Sequence, residues 1–155
     1  MIDNINEKVV NLLIKNNLKI SVAESITGGL IAKYITDVKN ASIVLDVSYV
    51  TYASSKKIEV LQVDRELIAK YGVVSREVAE DMARKLYNKE KVDIAVSTTG
   101  NAGPMVLSNK PVGMAYIGIC FKGETEVIEC EYKGLRNEIR EAVAERVFIE
   151  LFKKL

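Results

Sequence analysis

A short polar stretch between two apolar segments carries the first residues that could do chemistry. Residues 21–30 read SVAESITGGL, in which an apolar run typical of a buried strand breaks at Glu24-Ser25 and a helical pattern resumes after Gly28-Gly29. A serine at such a turn could present a nucleophilic hydroxyl, and a helix N-terminus could hold a phosphate or an oxyanion. The same residue types also cap helices and form turns, and taken alone the loop favours capping.

Two further loops place polar groups after predicted strands. Tyr52 and Lys57 lie five residues apart at a strand-to-helix junction, and residues 98–101 (TTGN) follow another strand. A lysine acts as a base only if burial or a nearby positive charge lowers its pKa by several units from about 10.4. Solvated lysines and an ordinary loop are the competing interpretations. Ligands bind beyond the carboxyl ends of parallel strands, so the three loops could meet at one site.

The 155-residue chain contains no histidine. This excludes Ser-His-Asp and Cys-His nucleophile systems and all His-based metal sites, so acid–base chemistry must use Lys, Tyr, Asp, Glu or Cys. The two cysteines, Cys120 and Cys130, have no metal-like spacing and lie in predicted strands, where thiols usually pack as small hydrophobic groups. Cysteine-based hydrolysis is therefore the weaker hypothesis, and we expect a cytoplasmic protein with free thiols.

Hydrophobic periodicity predicts the elements that must position these loops. Helical spacing predicts long helices at 2–16, 28–38, 75–86 and 136–155 and shorter ones beginning near Ser55 and Asp64. Apolar and β-branched runs predict strands at 18–22, 43–52, 92–97, 112–121 and 126–132. The last two strands form an antiparallel hairpin, while the others alternate with helices. The sequence therefore predicts a single layered α/β domain over residues 1–155, with a mixed sheet.

Charge and hydropathy limit the classes of partner. The chain has 22 basic and 21 acidic residues without a long run of one sign, which argues against nucleic-acid or membrane-surface binding. No apolar run approaches the roughly 18 residues of a membrane span, and the N-terminus lacks the pattern of a signal peptide. We expect a small-molecule ligand, with no nucleic acid and no membrane as partner.

Four motifs, taken together, resemble one known family. They are AESITGGLIA from Ala23, V-T-Y-x4-K ending at Lys57, GVVSREVAEDMA from Gly72, and TGNAGP from Thr99 followed by KPVG. In this order they resemble the C-terminal domain of the competence-damage protein CinA, which also occurs as a stand-alone nicotinamide mononucleotide deamidase. The resemblance runs from about Leu18 to the final helix. It implies a three-layer α/β/α fold with a mixed, mostly parallel sheet.

The resemblance also implies an activity and residue roles. The enzyme would hydrolyse nicotinamide mononucleotide to nicotinate mononucleotide and ammonia without a metal or cofactor, and would form a homo-oligomer. Ser25 would be the nucleophile and Lys57 its base, with Tyr52 beside them. The substrate-binding residues that it implies are Glu24, Thr27, Gly28, Gly29, Thr99, Gly100, Arg136 and Arg140. A Ser-Lys pair agrees with the missing histidine, since it is an established alternative to Ser-His.

The chain departs from the family pattern beside the expected catalytic residues but not at them. Asn101 stands where isoleucine is usual, and residues 105–108 (MVLS) replace a Gly-rich continuation. These departures predict a reshaped pocket wall. A deamidase for a related amide, or a module that binds a nucleotide or phosphate without cleaving it, are therefore the alternative functions, and ammonia release separates catalysis from binding.

Overall fold

The computed structural model describes residues 2–155. The helices are α1 (Ile5–Lys15), α2 (Leu30–Thr36), α3 (Ser54–Leu61), α4 (Arg65–Tyr71), α5 (Arg76–Glu90) and α6 (Arg136–Lys154), with 3-10 turns at Ile2–Asn4 and Ala41–Ile43. The strands are β1 (Ile20–Glu24), β2 (Leu45–Val50), β3 (Ile94–Gly100), β4 (Met114–Phe121) and β5 (Glu124–Glu131). Every predicted helix and strand is present, most with somewhat shifted ends.

The five strands form one mixed sheet in the order β2-β1-β3-β4-β5. β1 pairs in parallel with β2 and β3, whereas β4 pairs antiparallel with β3 and β5. The predicted mixed sheet and its terminal hairpin are confirmed. The parallel pairing is confined to the three strands that carry the candidate loops, so the carboxyl ends of β1, β2 and β3 lie at one edge.

Helices cover both faces of the sheet and complete the three predicted layers. One hydrophobic core joins α1, α2 and α6 to residues such as Ile20 and Val22 of β1. The other joins α3 and α5 to Ala23 of the same strand. Neighbouring side chains on a strand point to opposite faces, which is why one fully buried strand feeds both cores. Burying both faces of β1 fixes its end, and with it the position of the first loop.

The long final helix packs as its periodicity predicts. Ile139, Val143, Val147 and Leu151 are all buried against the first core. They recur at a spacing of four residues, which places them on one helix face. Within residues 2–155 the structure contains no helix that is both long and apolar enough to span a membrane.

The third strand is longer than its apolar run suggests. The sequence predicts a strand ending at Ser97, but Thr98, Thr99 and Gly100 continue the ladder opposite Ile117, Tyr116 and Ala115 of β4. Threonine is itself a favourable strand residue, and pairing with the long neighbouring strand β4 extends the ladder through both threonines to Gly100. The extension decides which threonine faces the candidate site.

Candidate active site

Ser25 and Lys57 meet at the carboxyl edge of the sheet. Ser25 is the first residue after β1, and Lys57 lies on α3, which follows β2. Lys57 Nζ is 3.2 Å from Ser25 Oγ and donates to the main-chain oxygen of Thr51 at 2.8 Å and that of Tyr52 at 3.4 Å. The two residues that the sequence placed 32 positions apart are therefore in hydrogen-bonding contact.

The environment of Lys57 favours the neutral amine. Its side chain is 1% exposed, and this burial lowers its pKa from 10.5 to about 8. Within residues 2–155 no carboxylate pairs with the amine to offset the loss of hydration. A neutral amine has two N–H donors and one lone pair. When the two donors engage the carbonyl oxygens of Thr51 and Tyr52, the lone pair remains for the proton of Ser25.

Tyr52 lies at the mouth of the site rather than at the Ser-Lys pair. Its side chain is 60% exposed, and its hydroxyl accepts a hydrogen bond from Arg136 Nη2 at 2.9 Å. Nη1 of the same arginine donates to the main-chain oxygen of Gly103 at 2.6 Å. Tyr52 thus contacts Lys57 through its carbonyl group and Arg136 through its phenol.

A cavity of about 380 Å³ opens above Ser25. Its polar groups include Ser25, Tyr52, Asn101 and Arg136. Its apolar wall is formed by Ile26, Ala102, Pro104, Met105 and Leu107. The volume lies within the range of small-molecule sites, and a few polar groups on an apolar wall are typical of them. Of the predicted site residues, Ser25, Tyr52, Gly100 and Arg136 line this cavity.

Glu24 supports the loop from below instead of facing the cavity. Its fully buried carboxylate accepts hydrogen bonds from the N–H groups of Gly29, Ile31 and Ala32 at 3.0–3.2 Å. A carboxylate stabilises a helix N-terminus through these N–H groups and the helix dipole. The N–H groups that the sequence offered to a phosphate or oxyanion are therefore occupied. The structure shows Glu24 and Gly29 in contact with each other and away from the cavity lining, and their substrate-binding role stays a prediction.

Thr27 and Thr98 hold the loop onto β3. Their hydroxyl oxygens are 2.9 Å apart, and Thr98 Oγ1 also accepts the main-chain N–H of Ser25 at 3.3 Å. Both side chains are fully buried beneath the nucleophile. Thr27 therefore positions the loop and does not line the cavity.

Thr99, the threonine chosen from the sequence, faces the other side of β3. Its hydroxyl donates to the main-chain oxygen of Val73 at 2.7 Å. Side chains alternate along a strand, so only one of Thr98 and Thr99 can reach Ser25. The structure thus places Thr98, and not Thr99, beside Ser25. Strand register was the missing signal, because the sequence placed both residues in a loop.

Arg140 is bound to the loop itself. Its guanidinium donates to the main-chain oxygens of Ile26 at 3.0 Å and Thr27 at 3.1 Å. Gly28 makes this approach possible, since a Cβ there would lie 2.9 Å from Arg140 Nη2 and its φ of +54° is unfavourable for other residues. Arg140 and Gly28 therefore fix the loop, which leaves Arg136 as the arginine at the cavity.

Two main-chain N–H groups that sequence reasoning missed follow Ser25 without a hydrogen-bond partner among residues 2–155. In the described part of the chain, the N–H groups of Ile26 and Thr27 have no hydrogen-bond partner. They directly follow Ser25, and Ile26 lines the cavity. Free main-chain N–H groups next to a nucleophile are suited to stabilising a developing oxyanion.

Gly100 brings β3 close to the cavity floor. A Cβ at this position would lie 2.8 Å from Ala115 Cβ, Ile26 Cδ1 and the main-chain oxygen of Met114. No side chain fits at that distance. The glycine therefore allows β3, β4 and residues 25–29, here called the Ser25 loop, to stay in contact. Its role is close packing at the cavity.

Comparison with known proteins identifies relatives over almost the whole chain. The family model for the CinA C-terminal domain matches residues 2–155. Proteins named competence-damage inducible protein from Caldicellulosiruptor saccharolyticus and Clostridium botulinum are 42% and 41% identical over 99% and 96% of the chain. The chain spans only 38% and 37% of the length of these two relatives.

Solved structures show the same fold. The competence/damage inducible protein CihA from Agrobacterium tumefaciens is 33% identical, with a TM-score of 0.89, over 96% of this chain and 94% of its own. A CinA-superfamily protein from Klebsiella pneumoniae is 25% identical, with a TM-score of 0.93, over 97% of this chain and 94% of its own. The similarity thus extends over both cores and all three loops of the candidate site.

Proposed function

Because the chain belongs to the CinA C-terminal domain family, we propose that it is an amidohydrolase in which Ser25 attacks a carboxamide and Lys57 accepts the serine proton. The substrate is nicotinamide mononucleotide, and the products are nicotinate mononucleotide and ammonia. The observation that carries the proposal is the 3.2 Å distance between Ser25 Oγ and a buried Lys57 amine whose pKa is lowered to about 8. A base with a pKa near the working pH is suited to proton transfer.

The reaction proceeds in two steps on these groups. Ser25 Oγ bonds to the carboxamide carbon as its proton passes to Lys57, and the N–H group of Ile26, which lines the cavity, stabilises the oxyanion. Lys57 returns the proton to the leaving nitrogen, the C–N bond breaks, and ammonia departs from a serine ester. Lys57 then takes a proton from a water molecule whose oxygen attacks the ester carbon, and it returns this proton to Ser25 Oγ as the ester C–O bond breaks, which releases the carboxylate and restores Ser25.

Arg136 and the apolar wall provide a place for the rest of the nucleotide. The guanidinium has five N–H donors and uses one on Gly103 and one on Tyr52, so others remain for a phosphate. The aromatic ring of the substrate packs against the wall around Met105 and Leu107. This arrangement supports a substrate with an aromatic amide at one end and an anion at the other.

Ammonia release from purified protein tests the proposal. Nicotinamide mononucleotide, nicotinamide riboside and free nicotinamide are compared as substrates, with ammonia and the carboxylate product measured separately, with and without EDTA. We expect the mononucleotide to be hydrolysed fastest, with equal amounts of the two products and no effect of EDTA. Tight nucleotide binding without ammonia would establish the binding-module alternative. Activity lost to EDTA and restored by a divalent ion would contradict the Ser-Lys mechanism.

A further inference from the structure

We propose that Asn101 determines specificity by fixing the apolar wall of the cavity, and that this wall selects amides with an aromatic ring over small amides without one. Apart from Ile26, the wall belongs to the loop of residues 102–112 between β3 and β4, here called the wall loop. Asn101 does not touch the Ser-Lys pair, so it is a positioning residue. The inference rests on the proposed function for its substrate class.

The side chain of Asn101 is used entirely inside the wall loop. Nδ2 donates to the main-chain oxygens of Leu107 and Lys110, each at 3.0 Å, and Oδ1 accepts the N–H of Leu107, also at 3.0 Å. The residue is 3% exposed, so these bonds do not compete with bulk water. One amide group thus holds two points of the loop that lie six and nine residues away.

Main-chain hydrogen bonds of Asn101 join the two ends of the wall loop. Its N–H donates to the oxygen of Met114 at 2.9 Å, and its oxygen accepts the N–H of Gly113 at 2.7 Å. The loop therefore leaves and rejoins the sheet at one fixed point. Because the side chain projects from this point, it ties the middle of the loop directly to the sheet.

A second contact holds the far side of the wall loop. Ser108 Oγ accepts the N–H of Val74 at 3.1 Å and lies over Gly72, where a Cβ would be only 2.2 Å away. The adjacent Val73 is bound in turn by Thr99 of β3. Asn101 thus holds the two ends and the middle of the wall loop, and Ser108 holds the side that lies over Gly72.

These contacts fix the position of solvent-exposed apolar side chains at the edge of the cavity. Met105 is 83% exposed and Leu107 is 53% exposed, yet both line the space above Ser25. Burial in the protein holds Met105 only weakly, because most of its side chain is in water, and it covers about half of Leu107. Since the Asn101 bonds order the loop in advance, a ligand that covers these side chains gains apolar burial without ordering the wall.

The position of the wall predicts which kinetic constant depends on it. The wall contacts the body of the ligand, whereas Ser25 and Lys57 are held by β1, α3 and Thr98. Loosening the wall therefore weakens binding of a large substrate and leaves the chemical step intact. A small amide that does not reach the wall is unaffected.

Three variants of the wall test the proposal against a matched control. Asn101→Ala removes all three side-chain bonds, Asn101→Asp keeps the acceptor but turns a carboxylate toward two carbonyl oxygens, and Ser108→Ala removes the far contact. Asn6→Ala is the control, because Asn6 Nδ2 also donates to a main-chain oxygen, that of Tyr34 on α2. Circular dichroism and thermal melting verify that each variant is folded.

The kinetic result that we expect is a rise in KM without loss of kcat. For nicotinamide mononucleotide, both Asn101 variants raise KM about tenfold with kcat within about twofold, and Ser108→Ala raises it less. The ratio of kcat/KM between the mononucleotide and acetamide, an amide that has no ring to reach the wall, falls by the same factor. Asn6→Ala matches the wild type. An unchanged KM in folded Asn101→Ala, or a fall in kcat alone, overturns the proposal.

Two measurements test the wall without turnover. Hydrogen exchange at the Leu107 N–H is slow in the wild type and Asn6→Ala and fast in Asn101→Ala. Nucleotide titration of Ser25→Ala with and without Asn101→Ala shows about tenfold weaker binding in the double variant. If the wild type releases no ammonia from any amide, the proposed function fails, while these two measurements still decide the role of Asn101. Unchanged exchange and unchanged binding overturn it.

Discussion

In the part of the chain that the structure describes, no carboxylate pairs with the buried Lys57 amine to compensate its charge. Its polar contacts are the Ser25 hydroxyl and the carbonyl oxygens of Thr51 and Tyr52. Carbonyl oxygens stabilise the charged form less than an ion pair does, so desolvation dominates and the pKa falls to about 8. At pH 7 roughly a tenth of the protein then carries a neutral base beside Ser25. The residue is destabilising for the fold but suited to proton transfer.

The first prediction concerns the pH dependence of the reaction. Since the base must be neutral, kcat/KM rises as pH increases through about 8 and then levels off. Lys57→Arg, whose guanidinium stays protonated, is inactive throughout. Initial rates of ammonia release from pH 6 to 10 provide the measurement. A profile that is flat or falls between pH 7 and 9 would show that Lys57 is not the base.

The second prediction concerns the pH dependence of folding stability. The folded-state pKa of Lys57 lies below its unfolded value near 10.5, so the folded state is penalised below pH 8 and the penalty disappears as pH rises to 10.5. With Lys57→Met as the reference, the relative free energy of unfolding of the wild type increases by about 2 kcal/mol from pH 7 to 10. Urea titrations of both proteins measure this difference. An equal response of the two proteins to pH would contradict the lowered pKa.

At the scale of residues, the sequence predicted which side chains lie close together better than it predicted the direction in which each one points. Ser25 and Lys57 could be chosen because family motifs and the absence of histidine point to the same pair. Thr98 could not be separated from Thr99, since their order on opposite faces depends on how far β3 extends. The choice between Arg136 and Arg140 also depended on partners more than 80 residues away.

At the scale of elements, three segments hold the Ser25 loop. Glu24 of β1 caps α2, Thr98 of β3 binds the Ser25 N–H, and Arg140 of α6 binds two loop carbonyl groups. The sequence predicted the strand, the turn and the helix but not this support, because Glu24 and Arg140 were interpreted as ligand contacts. A polar residue next to such a serine can bind the main chain of the loop as readily as it can bind a ligand.

The third prediction separates the two arginines of α6. Arg136→Ala raises KM for nicotinamide mononucleotide at least about tenfold with little change in kcat, because it removes the phosphate contact. Arg140→Ala lowers kcat and the thermal midpoint, because two buried carbonyl groups lose their partner and the loop loosens. Steady-state kinetics and thermal melting of both variants provide the comparison. If Arg140→Ala raised KM and Arg136→Ala lowered kcat, Arg140 would be the phosphate-binding arginine instead.

At the scale of the whole molecule, the sheet topology brings the site together. Only β1, β2 and β3 run in parallel next to one another, and each ends at a loop that contributes to the cavity or to the Ser-Lys pair. Alternating helices and strands predicted this arrangement because a parallel connection needs a crossover. The shape of the wall loop could not be predicted, since it depends on side-chain bonds from Asn101 and Ser108.

The fourth prediction concerns self-association. The edge of the sheet that carries the cavity exposes large apolar side chains, among them Tyr52, Met105 and Leu135. Exposed apolar groups clustered at one edge are typical of interaction surfaces. We therefore expect a homo-oligomer in sedimentation equilibrium at micromolar concentration, and a shift toward monomer in Met105→Lys. A wild-type mass equal to the 17.2 kDa monomer over the whole concentration range would contradict this expectation.

The central claim is that Ser25 and Lys57 act as one catalytic unit. Steady-state ammonia release by Ser25→Ala, Lys57→Ala and the double variant tests it most directly, with nucleotide titration of each protein as the control for binding. We expect each single variant to lose at least about a thousandfold in kcat, the double variant to be scarcely worse, and Ser25→Ala still to bind the nucleotide. A Ser25→Ala protein that turns over near the wild-type rate would rule out Ser25 as the nucleophile.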